Sequence, residues 1–361
     1  MQHTPKFTVR IVLLLLVTLS IVSVANAQSD EDVLTIVTHD SFSISEDILI
    51  AFEEQTGATV RILRSGDAGS MVNQAVLSRD NPLGDLMYGV DNTFLSRALD
   101  ADVFIPYESP MLASISKDFL LDDLYRVTPI NYGDVCLNYD VNFFEVNDLA
   151  VPDSFESLAD ETYRDLLVVE NPATSSPGLA FLLATIDYFG APELEETEST
   201  YTYLNYWQDL VANGVLVVED WTDAYYGEFT VAGGGTRPLV VSYASSPPAE
   251  VFFAEEPLDE APTGSVTATG MCFRQIEFAG ILDGTENEAL AREFVDFMLT
   301  LEFQEDLPLQ MFVFPVNAEA ALPEVFEIYA AIPEEPVYMS IDTIDTYRED
   351  WILAWTETVL R

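Results

Sequence analysis

"VLTIVTHDSFSISEDILIAFEEQTGATVRILRSG", residues 33–66, decides the fold class. It opens on a β-prone run that ends in the polar Thr38, His39 and Asp40. Ser45 then supplies a hydroxyl of the kind that starts helices, and Ile48, Leu49 and Phe52 fall on one helical face. Gly57 marks the stop, because a left-handed residue after the last turn suits glycine. A second β run resumes at Val60. Strand, helix and strand without a hairpin signal predict a crossover connection. The unit repeats through the helix 68–80, the strand in "GDLMYGVDN" (84–92) and the helix in 93–104, so the expected sheet is parallel and covered by helices. Polar residues close all three strands: Thr38-His39-Asp40, Ser65-Gly66-Asp67 and Asp91-Asn92. In open α/β sheets that edge is where ligands sit.

The middle of the chain repeats the theme. "RDLLVVENP" (164–172), "VLVVED" (215–220) and "PLVVSYASSP" (238–247) read as strands, and 175–190 and 203–214 as helices. "AGGGTRP" (232–238) is a turn, and the proline-rich, acidic 246–264 reads as a surface loop. Two extended runs, 128–140 and 264–281, flank this block and are long enough to pass between two lobes. The C-terminal part reads as amphipathic helices, with Trp351, Ile352, Trp355 and Val359 on one core-facing side. Two α/β lobes joined by long strands describe a hinged clamp that shuts on its ligand. The expected boundaries are a leader at 1–27, a discontinuous first lobe over 28–131 and 273–361, and a second lobe over 132–272.

The leader is read from Lys6 and Arg10 before an apolar stretch from Ile11 to Val24, followed by the small-x-small Ala25-Asn26-Ala27. The apolar run falls short of a membrane span. No cysteine near the cleavage position offers a lipid attachment point. Export as a soluble protein, periplasmic or extracellular, is therefore expected. The formal net charge is −48, from 62 acidic and 14 basic residues. A nucleic-acid backbone needs cationic neutralisation, so that class of partner is excluded. The same charge favours cationic ligands and a salty surrounding that screens self-repulsion. Cys136 and Cys272 are the two cysteines of an exported chain. Both lie in strand-like segments, which predicts one disulfide between neighbouring strands.

Catalytic machinery is sparse. Beyond the leader His39 is the single histidine, and no nucleophile elbow, H-E-x-x-H or P-loop occurs. "NPATSSPGLAFLL" (171–183) places Thr174, Ser175 and Ser176 ahead of Pro177 and an apolar helix. Such a helix start caps itself and can also receive an anion or hydroxyl. "VVEDWTDAYYGEF" (217–229) crowds Trp221, Tyr225 and Tyr226 among acids. The adjacent phenols suit a ferric ion, and the flat rings suit a cationic heterocycle.

"TIVTHDSF" (35–42), "GVDNTFLSRA" (89–98), "TSSPGLAFLL" (174–183), "EDWTDAYYGEF" (219–229), "VVSYASSP" (240–247), "FVFPVN" (312–317) and the terminal "WILAWTETVLR" occur in this order. Together they resemble the periplasmic thiamine-binding proteins of ABC importers, over nearly the whole chain. The resemblance implies a type II periplasmic-binding-protein fold, a monomer without catalysis, cofactor or metal, and delivery of thiamine or its phosphate esters to a membrane permease. It also implies ring walls from Trp221 and Tyr243, His39 and Asp67 on the first lobe's side, and Ser175 at the hydroxyethyl or phosphate tail. Asp40, Asp91, Asn92 and Tyr225 join them from the same strand ends and loops. The chain departs from the family pattern twice. Pro248 and Ala249 stand where an aromatic is usual after "SSP", with Tyr226 as a replacement. Phe312 stands where Trp is usual.

Thiamine fits the residue chemistry, because its fixed positive charge suits indole and phenol faces and nearby carboxylates. A ferric site on Tyr225 and Tyr226 is the alternative, with His39 and Asp40 as further ligands. A polyamine is the third candidate. A ferric site leaves Trp221 and the "TSSPG" helix start without a role.

Overall fold

A computed structural model describes residue 1, residues 32–194 and residues 200–361. Apart from Met1, the expected leader lies outside the described residues. No helix among the described residues is long and apolar enough to cross a membrane.

Among the described residues eleven strands form one sheet: β1 Val33–Thr38, β2 Thr59–Arg64, β3 Leu86–Asp91, β4 Phe104–Ile105, β5 Thr128–Asp140, β6 Leu167–Glu170, β7 Leu216–Val218, β8 Leu239–Tyr243, β9 Thr263–Val266, β10 Phe273–Leu282 and β11 Phe314–Pro315. The path across the sheet runs β2-β1-β3-β10-β5-β8-β6-β7. At one end β1 pairs in parallel with β2 and β3. At the other, β6 pairs in parallel with β7 and β8. These are the two expected crossover blocks.

Between them the expectation of a parallel sheet is corrected. β10 runs antiparallel to both β3 and β5, and β5 runs antiparallel to β8. The reason is connectivity. β5 carries the chain out of the first block and β10 brings it back, so the two long strands point in opposite senses. The run 264–281 is likewise two strands, β9 and β10, rather than one.

Helix ends follow their local chemistry. The Glu46–Thr56 helix stops at Gly57, left-handed at φ 74°. The Ala68–Leu77 helix is capped by Asp67, whose carboxylate accepts from the Ala68 N–H at 2.6 Å. The segment 246–264 is corrected in part, because Pro247–Phe252 is helical. Proline is tolerated in a first helical turn, where its missing N–H has no partner to lose.

Burial is layered on the sheet. Leu34, Ile36, Leu86 and Tyr88 meet the helices Glu46–Thr56, Glu288–Met298 and Leu301–Gln310 through Phe52, Phe294 and Phe303. The other face, with Val37, Met71 and Met87, continues through Val135 and Leu137 to Phe181, Trp207, Trp351 and Trp355. Trp207 packs edge-on against Trp355 with centroids 5.4 Å apart. The Ile341–Val359 helix thus buries its expected apolar side, where truncating one indole to alanine costs about 3–5 kcal/mol. A smaller cluster of Val168, Val240, Ala224, Tyr225 and Phe229 covers the far side of β6 and β8.

Cys136 of β5 and Cys272, just before β10, form a disulfide with Cα atoms 4.4 Å apart. Phe273 pairs with Val135, so the bridge sits one rung beyond the ladder of the two long strands.

Candidate functional site

A cavity of about 350 Å³ opens where the strand ends of both blocks meet β5 and β10. That lies at the small end of the range for small-molecule sites. Its wall includes seven of the residues expected from sequence: His39, Asp40, Asp67, Trp221, Tyr225, Tyr243 and Phe312.

His39 follows the last residue of β1 and is 7% exposed. Its ring occupies space that Gly89 leaves open on β3. A Cβ at Gly89 would lie 2.1 Å from the His39 Cδ2, and the φ of 98° there already favours glycine. His39 Nε2 sits 3.2 Å from Oε1 of Glu277 on β10. Tyr88 donates its hydroxyl to the other Glu277 oxygen at 3.0 Å, and the Asn131 amide donates to Tyr88. Burial pulls the imidazole pKa down, but the charge and hydrogen bond of Glu277, helped by Asp67 and Asp40, outweigh it and raise the value. Burial likewise pushes Glu277 up, and His39, Asn131 and Tyr88 reverse that to a net lowering. Each thus shifts the other toward its charged form across the 3.2 Å contact.

Asp67 closes the strand end after β2. Besides capping its own helix, its Oδ2 accepts the Trp221 N–H at 3.1 Å, from a residue 154 positions away. Burial raises its pKa, opposed by Ser175, Ala68, Trp221 and His39. The Asp40 carboxylate accepts the Gly66 N–H at 3.1 Å, and the Asp40 N–H donates to the Gly66 carbonyl. Both acids therefore face the cavity from backbone that is pinned.

Trp221 stands opposite. Its Nε1 donates to the Ser242 hydroxyl at 3.0 Å. It stacks on Tyr225 at 5.0 Å and 17°, and meets Tyr226 edge-on at 84°. The turn Asp223–Glu228 is π-helical, with the Phe229 N–H reaching back five residues to the Ala224 carbonyl. That wider turn buries Tyr225 beneath the indole and leaves Tyr226 half-exposed at the rim. The Tyr225 hydroxyl donates to Glu250 at 3.1 Å. Burial and then the Glu250 charge raise its pKa well above 10.

Tyr243 forms the floor. Its ring lies over Gly133, where a Cβ would come within 2.8 Å of Cδ1, and its hydroxyl donates to Gln275 at 2.9 Å. The Gln275 amide in turn donates to Ser176 at 2.9 Å. Phe312 closes one side from a left-handed backbone at φ 53°, uncommon for an aromatic residue.

Three expected residues are placed behind the wall. Asp91 is fully buried, accepting from the Thr93 hydroxyl at 2.9 Å and the Phe94 N–H at 3.3 Å. Burial, the largest influence, lifts its pKa to about 7. Asn92 stitches β3 to β10, accepting the Ile276 N–H and donating to the Arg274 carbonyl. Ser175 precedes the Ser176–Phe189 helix and is fully buried, while Ser176 and Pro177 reach the cavity. The Ser175 hydroxyl eases Asp67 ionisation without a well-directed bond, so it acts as an electrostatic neighbour.

Sequence reading missed Glu277, Phe253 and Gln310, which also line the cavity. Glu277 left a signal: one acid between Ile276 and Phe278 in a buried strand. Phe253 sits edge-on to Phe312 at 5.6 Å, five residues beyond the aromatic position that Pro248 fills. Tyr226 also lines the cavity, so two rings stand near the gap left by that substitution.

Two blocks closing on a cavity walled by rings and acids form a ligand clamp, and residues 81–332 match the family described as bacterial extracellular solute-binding protein. The chain belongs to that family. This solute-binding protein is 27% identical over 335 residues to the thiamine-binding periplasmic protein of Salmonella typhimurium, covering 91% of this chain and 94% of the relative. The Escherichia coli protein of the same name is 26% identical over the same shares. Among solved structures it resembles a periplasmic thiamin binding protein, with a TM-score of 0.78, 23% identity, and coverage of 91% of this chain and 96% of that one. The ferric binding protein from Campylobacter jejuni is also similar, with a TM-score of 0.72, 17% identity, and coverage of 90% and 99%. These likenesses place the solute-binding protein in the two-lobed type II periplasmic-binding-protein fold, with β5 and β10 as crossing strands. The family's role is solute capture outside the cytoplasm.

Proposed function

We propose that the protein captures thiamine in this cavity and hands it to the membrane permease of an ABC importer, working as a monomer without a resident cofactor. The observation that carries the reading is Trp221, whose indole stacks on Tyr225 and whose backbone N–H donates to Asp67, with acids but no Lys or Arg on the described cavity wall. A thiazolium cation lies flat against such a face, gaining about 0.5–2 kcal/mol. Trp221 and Tyr243 hold the rings, and His39, Asp40 and Asp67 face them. Asp91, Asn92 and Ser175 support this wall from behind. The names of the similar proteins support the same ligand. The lobes are proposed as 28–131 with 273–361, and 132–272.

The ferric alternative finds less support. Tyr225 is buried, gives its proton to a hydrogen bond with Glu250 and resists ionisation. A tyrosinate ligand needs the opposite.

The test is calorimetry with thiamine. Trp221→Ala is expected to weaken binding roughly tenfold or more, the equivalent of about 1.4 kcal/mol. Unchanged affinity removes the indole from the site, and a colour on adding ferric ion revives the metal reading.

A further inference from the structure

We infer that capture of a cationic ligand in this cavity drives a proton off Asp91, a buried acid behind the wall, so that binding weakens as the solution is acidified. The inference rests on the thiamine reading above and concerns what the ligand's charge does to the protein, not which ligand enters.

A cluster of acids carries it. Asp91 ends β3, and Glu277 lies directly across from it on β10 in the antiparallel register. Side chains of such a pair share a face with Cβ atoms about 4.5–5.5 Å apart, so like charges there repel. Glu277 lines the cavity and is held as the carboxylate by His39 at 3.2 Å and the Tyr88 hydroxyl at 3.0 Å. Asp67, on the same wall, adds a second negative charge to the surroundings of Asp91. The neighbouring elements bring no free cation to it. Arg274 of β10 grips Asp134 at 2.6 Å, and Arg348 of the Ile341–Val359 helix, over the Phe94 ring, pairs with Glu349 at 3.1 Å. Tyr243 of β8 brings a phenol whose hydroxyl is donated to Gln275. Burial, with Glu277 and Asp67, therefore holds the Asp91 pKa near 7 against the bonds from Thr93 and Phe94.

Asp91 is also prepared to lose that proton. Its oxygens accept from the Thr93 hydroxyl at 2.9 and 3.1 Å, and one accepts the Phe94 N–H at 3.3 Å. These bonds favour the anion and are in place before it forms. Glu170 is the contrast. It is fully buried with neither side-chain oxygen hydrogen-bonded, and burial keeps it protonated well above the usual carboxylate range.

A cation entering beside Glu277 and Asp67 offsets the repulsion that both exert on Asp91. One unit charge about 9 Å away, through an effective dielectric constant of about 20, lowers a carboxyl pKa by roughly one. The Asp91 O–H bond then breaks, its electrons stay on the carboxylate, and the buffer takes the proton. Above about pH 7 the group is ionised before the ligand arrives and releases nothing. Below it, binding must expel the proton, so affinity falls as pH falls through 7.

The experiment is calorimetry of the protein with thiamine between about pH 6 and pH 8, each point in two buffers of different ionisation enthalpy. Asp91→Asn keeps an acceptor for the Thr93 and Phe94 donors but cannot titrate, so the difference between parent and variant isolates this proton from any that His39 sheds. That difference is expected near about half a proton per ligand at about pH 6.5 and near zero at about pH 8. Between those limits the parent should lose roughly fivefold more affinity on acidification to about pH 6 than the variant does. Infrared difference spectra of the parent at about pH 6.5 should show a protonated-carboxyl C=O band disappearing when thiamine binds, a readout that does not need the variant to fold. Binding without that loss overturns the inference and leaves the thiamine reading intact, as does a variant that releases protons like the parent. Failure of thiamine to bind overturns the reading beneath it and the inference with it.

Discussion

At the scale of single residues the site depends on what is missing as much as on what is present. Gly89 gives His39 its place, and Gly133 gives Tyr243 its place. The buried His39–Glu277 pair has a defined pH signature. His39 has a raised folded pKa, so its contribution is complete below the ordinary 6.5 and is lost as pH climbs through the raised value. Glu277 has a lowered folded pKa, so its contribution is complete above the ordinary 4.5 and is lost as pH falls through the lowered value. Both are complete between 4.5 and 6.5. Melting temperature should decline on the alkaline side of that window, and His39→Gln should flatten that decline. A variant with the parental pH profile would show that the imidazole is neutral in the fold. Much of this was legible in the strand-end polar residues. Glu277 was not, because its role depends on β10 lying beside β3, and no local pattern announces that pairing.

At the scale of elements, hydrophobic periodicity and caps located the strands and helices of the two crossover blocks and the C-terminal helix, since these are local properties, while short pieces such as β4, β11 and the helices Val141–Val146 and Glu324–Tyr329 were too brief to show a period. Two readings failed for physical reasons. The sense of β5 and β10 follows from where the chain returns after more than a hundred residues. The Pro247–Phe252 helix was hidden by prolines that break helices in the interior but are tolerated in a first turn. The disulfide belongs to this scale as well, because it joins the two long strands across a sequence separation of 136 residues. Closing so long a loop restricts the unfolded chain, and replacing Cys136 and Cys272 by serine should cost about 2–5 kcal/mol. Thermal melts of the double variant and of reduced wild type check this. Coincident curves with the oxidised protein would refute the bridge's contribution.

For the whole molecule, the governing quantity is a net charge of −48. Self-repulsion of this size opposes compaction, and salt relieves it by shortening the screening length to about 3 Å at 1 M. The melting temperature should therefore rise steadily with NaCl. A flat or falling dependence would mean that the surface acids are already balanced by their neighbours. Such balance is scarce among the described residues, where exposed pairs such as Arg164–Glu161 and Arg361–Glu357 are few beside the acids. The global charge was plain in the sequence, as was the clamp-like order of blocks. Which of the many acids face inward was not, because it is decided by the meeting of strand ends far apart in the chain.

One backbone position controls the depth of the binding chamber from underneath. Because the phenol of Tyr243 rests directly on Gly133, a single methyl group there acts as a shim, lifting the floor while every wall side chain keeps its identity. Guest size in this scaffold can thus drift or be engineered through a residue that never touches the guest.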